Sequence, residues 1–265
     1  MTALTLFQER QKNSLTLASR FPFACGPYRE CFNRCCESGI ITLSPVDVLR
    51  LKRGLRSVSG EFLRRYTLRI SEAGSGLPLV LLKPPRERET GCPFVTPQGC
   101  AVYPDRPDAC RLFPVAQGSE LTTSGVVEHL SMRRLEFCQG FQADREWTVE
   151  EWMAAQDYVM DSPLRRTWVS VLLHRSLPGS PPALPHQQDL FYLAAYDLDN
   201  FRTFVLDSAF PQVYGFPWET LAPLREDDEA LLRFGLAFVA ATLEGDEPSL
   251  VRDALREALL PGSPG

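Results

Sequence analysis

Eight cysteines dominate the reactive side chains of this sequence, and their positions are uneven. Four come early and close together, in Cys25-x5-Cys31-x3-Cys35-Cys36. Three follow as Cys92-x7-Cys100-x9-Cys110, and Cys138 comes last, in a chain of 265 residues. As thiolates, cysteines are soft ligands for zinc and for iron–sulfur clusters, and four of them close a tetrahedral ion or a cubane. Eight therefore supply two sites, or one site with spares. Structural zinc usually takes pairs about two to four residues apart, and only Cys31-x3-Cys35 fits that spacing. Iron–sulfur clusters accept irregular spacing better, so the pattern leans toward iron–sulfur, with zinc as the alternative. Adjacent Cys35 and Cys36 point different ways in an extended chain. They go more easily to different metal atoms, or to two neighbouring sites, than to one tetrahedral ion.

Two blander readings compete with a metal. Buried free thiols behave as small hydrophobes, and disulfides need an oxidising compartment. Confinement of all eight thiols to the first 138 residues argues against the first reading. So do the turn-forming neighbours Gly26, Pro27, Pro93, Gly99, Pro104, Pro107 and Gly140, which suit a backbone wrapped closely around a bound centre. His129, His174 and His186 have no ligand-type spacing with the cysteines and read as core or surface residues.

Hydrophobic residues make up 44% and charged residues 23%, ordinary values for a globular protein that exclude a collagen, a rod and wholesale disorder. No window approaches the ~18 uninterrupted apolar residues of a membrane span. Glu9, Arg10 and Lys12 interrupt the place where a secretory leader would be apolar, so the expected address is cytoplasmic. Residues 1–145 carry 20 Lys+Arg against 14 Asp+Glu, and residues 146–265 carry 8 against 19. The net charge of −5 argues against a nucleic-acid partner. The basic excess reads mainly as solvated surface, because Arg50, Lys52, Arg53 and Arg56 are spaced to lie on an outer helix face. The other reading is that it offsets an anionic centre.

The elements that must position these thiols follow from local signals. Residues 21–38 show no periodicity and read as an ordered loop. Ser44-Pro45-Val46-Asp47 opens a helix to about 57, with a Ser cap, Pro at the first position and an acid in the first turn. A second helix starts at Ser59 with Phe62, Leu63 and Tyr66 inward, and 78–82 reads as a strand. Residues 83–91 form a charged loop, and Cys100–Tyr103 reads as a strand. Asp105 or Pro107 opens a helical turn carrying Cys110. Strands at 119–123 and 126–132 are joined by Ser124-Gly125. Beyond 146 the pattern is helical. Thr148 with Glu151 makes a capping box, Ser162-Pro163 starts another helix, and helices follow at about 187–195, 199–209, 224–244 and 248–260. The Phe201, Phe204, Phe210, Tyr214, Phe216 and Trp218 stretch reads as core, and Asp227-Asp228-Glu229 and Glu150-Glu151 as helix starts. The tail after 260 reads as disordered.

The early cluster ending in Cys35-Cys36, Cys92-Pro93-Phe94, Cys100-Ala101-Val102-Tyr103, Arg106-Pro107-x-x-Cys110-Arg111-x-Phe113-Pro114 and Cys138-x-Gly140 together resemble the YkgJ-like cysteine-cluster family, a zinc- or iron-chelating domain with a CxxCxxCC-type motif. The resemblance covers about residues 21–140 and departs from the family in the wider spacing of its first cluster. The region from Phe191-Tyr192 through Tyr196-Asp197-Leu198-Asp199 to Val205 is similar, less specifically, to longer bacterial members. The family implies metal binding and, for most members, no known reaction. One relative, the flagellin lysine N-methylase, uses S-adenosylmethionine, so whether this chain is an enzyme stays open. Arg106 and Arg111 have forks that can donate to thiolate or sulfide sulfurs, with surface pairs to Asp105 and Asp108 as the alternative.

No Walker loop, G-x-S-x-G elbow or H-E-x-x-H motif is present, and Ala73-Gly74-Ser75-Gly76-Leu77 leads into a strand rather than the helix that a Rossmann-type methyltransferase requires after its Gly-rich turn. The expected fold is α+β: mainly α, with a small irregular α/β cysteine-cluster module over residues 1–145 and a helical region, 146–265, packed on it. The expected ligands are Cys25, Cys31, Cys35, Cys36, Cys92, Cys100, Cys110 and Cys138, holding an iron–sulfur cluster or zinc. The expected role is structural, redox or metal handling. A metal-dependent protein methyltransferase and a structural zinc module with a protein partner are the alternatives.

Overall fold

The computed structural model describes residues 14–84, 91–177, 179–245 and 248–259. The expected charged loop at 83–91 and the tail expected to be disordered fall largely or wholly outside these residues, as do residues 1–13. The fold is α+β, helices with small antiparallel sheets. The chain divides into two compact units, one of residues up to Ile41 with Lys83–Asp161, the other of Thr42–Leu82 with residues from Ser162 onward. The sequence changes texture near 145, whereas the contact division interleaves the chain.

The first unit holds every cysteine. Val115–Thr122 and Gly125–Met132 pair from Val115↔Met132 to Thr122↔Gly125, and Ser14–Leu15 adds to the second of them. This hairpin starts four residues earlier than the alternation in the sequence indicates. Arg20–Pro22 pairs with Glu146–Thr148, Trp147 opposite Phe21, so part of the expected 21–38 loop is strand; Arg34–Ser38 is a short helix. Thr148 caps Val149–Ala155 through a reciprocal box with Glu151, as its sequence predicts. Phe21, Phe23, Leu112, Val115, Leu130, Val149, Trp152, Met153 and Tyr158 form the core. Two indoles tie the backbone down. Trp152 Nε1 donates to the Leu112 carbonyl and Trp147 Nε1 to the Phe23 carbonyl, each at 2.9 Å. Cys100–Tyr103 is not a full strand. Only Gly99–Cys100 pairs, with Val95–Thr96, and Tyr103–Asp105 turns into a 3-10 helix, because Pro104 has no N–H to continue a ladder.

In the second unit Pro78–Leu82 lies between Thr42–Leu43 and Thr67–Ser71. Pro45–Gly54 and Ser59–Tyr66 form as their signals require, with Ser44 and Asp47 closing a capping box and Phe62 and Leu63 buried. Pro163–Arg175, Pro185–Ala195, Leu198–Leu206, Asp228–Glu244 and Pro248–Ala258 complete the helices. Leu231, Leu232, Phe234, Leu236, Phe238 and Val239 are all buried, matching the apolar texture of that helix. The Asp228–Glu244 helix begins later than 224 because the Asp227 carboxylate accepts the Glu229 and Ala230 N–H groups, 2.9 Å each. The expected 199–209 helix ends at Leu206. Ser208 Oγ accepts the Phe210 N–H, and Pro211 opens a separate turn over Phe210–Tyr214. Trp218 is 47% exposed, so it lies outside the core that Phe201, Phe210 and Phe216 occupy.

The basic residues of the first half do not form a solvated face throughout. Lys52 is buried, and its Nζ stands 3.0 Å from both carboxylate oxygens of Asp199 and 3.5 Å from Asp228. Arg53 reaches Asp228 at 3.1 Å and Glu229 at 3.4 Å, and Arg202 bridges Asp199 and Asp228. Residues 42–82 carry seven Lys+Arg against three Asp+Glu, and they fold with the acidic helices. By sequence the first unit then holds 13 Lys+Arg against 16 Asp+Glu, net −3, and the second 15 against 17, net −2. The basic excess of residues 42–82 therefore lies in the same unit as the acidic helices, while Arg29, Arg106 and Arg133 stay in the unit of the cysteines.

Candidate metal centre

Hydrogen bonds gather the thiols from distant parts of the first unit. The Ala24 N–H donates to the Gly140 carbonyl at 3.0 Å, laying the segment before Cys25 beside the one after Cys138. The Gln139 N–H donates to Cys31 Sγ at 3.3 Å, and the Cys31 and Cys138 thiols hydrogen-bond each other. On the other side the Cys92 N–H donates to the Cys36 carbonyl at 2.8 Å, and the Val95–Cys100 pair folds Cys100 back over the same turn. Gly91 makes this approach possible. Its φ of 109° favours glycine, and a methyl there would meet the Glu37 carbonyl oxygen at 2.8 Å. Cys110 comes from the Asp108–Leu112 helix and lies within electrostatic reach of Cys36. Cys35 and Cys36 have their sulfurs 3.9 Å apart. Cys31 is buried, Cys25 is exposed and the other six are half-buried; none of the eight is in a disulfide.

The electrostatics are those of sulfur beside sulfur. Burial pushes Cys25 up to about 11, with Cys35, Cys31 and Cys138 adding to the rise and Arg29 opposing it. The Cys35–Cys36 hydrogen bond lowers Cys35 to about 7 and raises Cys36. Burial raises Cys92, Cys100 and Cys138 as well. Backbone N–H groups two residues on work against that rise: Phe94 onto Cys92 at 3.4 Å, Val102 onto Cys100 and Gly140 onto Cys138. Hydrogen bonds to an ionised acceptor are the strong ones, so these donors favour thiolate. A soft cation among the sulfurs acts in the same direction, because a coordinating thiol is deprotonated outright. Among the described residues no three His, Cys, Asp or Glu side chains stand close enough to share one ion as placed. The donor set fits zinc or an iron–sulfur centre by chemistry, through thiols that meet in pairs.

Arg106 and Arg111 are buried. Arg106 donates to the Tyr103 carbonyl and to Gln156 Oε1, each at 2.6 Å, and its charge lowers Cys100. Arg111 donates to the carbonyls of Gln156, at 2.7 Å, and Pro104. These bonds go to oxygen and pin the 103–112 segment that carries Cys110. His129 lies over Gly118 on the neighbouring strand, and His174 and His186 are exposed. Sequence reasoning passed over Arg29 and Arg133, whose charges lower Cys25 and Cys35. It also passed over the N–H donors, whose one textual trace is the turn chemistry of Cys92-Pro93-Phe94 and Cys138-x-Gly140.

The fold is thus an α+β protein in which one unit gathers eight thiols. Residues 24–145 match the model of the CxxCxxCC family, described as "Putative zinc- or iron-chelating domain". That segment spans a little under half of the chain and contains all eight cysteines. No curated protein and no solved structure matches the chain. No helix among the described residues is long and apolar enough to cross a membrane.

Proposed function

We propose that the module holds its metal as an iron–sulfur centre in a reducing cytoplasm, through Cys25, Cys31, Cys35, Cys36, Cys92, Cys100, Cys110 and Cys138, with a structural, redox or metal-handling role. The observation that carries this reading is the set of backbone N–H groups aimed at Cys31, Cys92, Cys100 and Cys138 sulfurs. They stabilise thiolate ligands and leave the sulfurs' other lone pairs for metal. Irregular cysteine spacing supports iron–sulfur over zinc. When bound, such a centre supplies one-electron chemistry or a rigid cross-link of the fold. Arg106 and Arg111 hold the loop that presents Cys100 and Cys110. Anaerobic isolation followed by iron, zinc and acid-labile sulfide analysis tests this. Iron with matching sulfide and broad visible absorption supports it. Stoichiometric zinc without sulfide moves the reading to a structural zinc module, and a folded protein that binds neither refutes it.

A further inference from the structure

We infer that a groove in the second unit binds a free α-amino acid, its ammonium on Asp197 and its carboxylate on Arg64. The inference goes beyond the metal reading and does not rest on it. The groove measures about 480 Å³, within the range of small-molecule sites, and Gly60, Arg64, Arg69, Tyr192, Asp197 and Asn200 are in its lining. Asp197 carries the argument. Its carboxylate is half-buried and accepts the Ser59 hydroxyl at 2.6 Å and the Asn200 amide at 2.8 Å, both neutral donors. Asp199, two residues on, is answered by Lys52 and Arg202, whereas Asp197 has no ion pair among the described residues. A carboxylate held in place by two neutral donors keeps acceptor sites for a cation, because each oxygen takes more than one hydrogen bond.

Gly60 leaves the way to that carboxylate open. A Cβ there would stand 3.6 Å from an Asp197 oxygen and 3.4 Å from the Asn200 amide nitrogen. Arg64 follows Gly60 by four residues in the Ser59–Tyr66 helix, so it lies on the same face, about 6 Å along the axis. Helical side chains lean toward the N-terminus, which inclines the Arg64 stem back over Gly60. Its guanidinium has five donors in a fork that matches a carboxylate. Arg69 is held otherwise, 2.9 Å from Asp189 and 4.8 Å over the Tyr192 ring. Burial and the Asp197 charge keep the Tyr192 phenol protonated, so it adds a neutral polar group to the lining. A simple acid would meet Asp197 as a like charge, and a simple amine would meet Arg64 as one. A molecule with an ammonium and a carboxylate on adjoining carbons complements both.

Calorimetric titration of the full chain with each standard L-amino acid in turn is the test. At least one is expected to bind. Its amide, which lacks the carboxylate, and its deaminated acid, which lacks the ammonium, should each bind about tenfold more weakly or worse. Asp197→Asn keeps an acceptor for Ser59 and should weaken binding by a similar factor. Gly60→Ala sets a methyl in ordinary contact beside the carboxylate, in a helix where Ala is preferred to Gly. It should lose binding while melting no lower than the native chain, which separates a blocked groove from a damaged fold. Binding of no amino acid, equal binding of the amide or the acid, or binding untouched by both variants overturns the inference. Those results leave the metal reading standing, and a chain found to bind no metal leaves the groove standing.

Discussion

Gly140→Ala puts one methyl group between the core and the candidate centre. Gly140 is buried in the Gln139–Gln142 turn; its N–H faces the Cys138 sulfur and its carbonyl accepts the Ala24 N–H. A Cβ there would lie at or within 3.0 Å of three carbons of the Phe23 ring. Carbon atoms prefer separations of about 3.5–4.0 Å, so the ring or the turn must retreat by roughly 1 Å. Phe23 is 2% exposed and has edge contacts with Phe113, Phe141 and Trp152 at centroid distances of 5.9, 5.3 and 5.4 Å. With the ring held on three sides, the cost belongs in the upper part of the ~1–3 kcal/mol range for overpacking. A loss of about 2–3 kcal/mol corresponds to a melting temperature lower by roughly 4–12 °C. The same displacement parts Cys138 from Cys25, so bound metal should fall with stability. Thermal melting and metal analysis of the isolated protein read both. Gly245→Ala is the control, since its backbone is extended and no atom lies within 4 Å of the added methyl. Phe23→Leu in the Gly140→Ala background should cost less than it does alone, because the smaller side chain makes room. Unchanged melting and metal content in Gly140→Ala, or strict additivity with Phe23→Leu, would refute the reasoning.

Lys52→Met should lower stability by about 1–3 kcal/mol in urea titration, because it removes the buried cation between Asp199 and Asp228; the range is reduced because Arg202 and Arg53 remain and Asp199 is 27% exposed. Stability unchanged or raised in that variant would contradict the network. Burial opposes ionisation of Asp199 and Asp228, but the Ser59 N–H and Lys52 at Asp199, and Lys52 with Arg202 at Asp228, hold both carboxyls below the usual range. Their stabilisation is thus complete above the unfolded value of about 3.9 and is lost as pH falls through the lower folded values. Melting scans should show that acid loss in the native chain and a shallower one in Lys52→Met. Arg111→Lys should cost about 1–2 kcal/mol, since one ammonium cannot fork between the Gln156 and Pro104 carbonyls. Its bound metal should fall with the loosening of Cys110, and wild-type metal content would argue against that positioning role.

Much of this protein is written locally. Ser44 with Asp47 and Thr148 with Glu151 announce helix starts that form as reciprocal boxes, because a cap needs only four consecutive residues. The apolar texture of residues 231–239 announces a buried helix for the same reason. The cysteines announce a soft-metal donor set, since ligand chemistry belongs to the side chain. Turns that depend on partners far along the chain were not legible. The short Arg34–Ser38 helix is one of these, since the Cys36 carbonyl at its centre is met by the Cys92 N–H.

By itself the sequence determined which atoms can bind metal and where many helices begin. Tertiary structure alone decided which sulfurs are neighbours, because Cys31 meets Cys138 and Cys36 meets Cys92 only through hydrogen bonds between distant segments. It also removed the contrast of charge between the two halves of the chain. Residues 42–82 bring Lys52 and Arg53 onto Asp199, Asp228 and Glu229. A charge buried with its counter-charge is far more favourable than one buried alone, and that pairing depends on proximity in space, to which position along the chain is no guide.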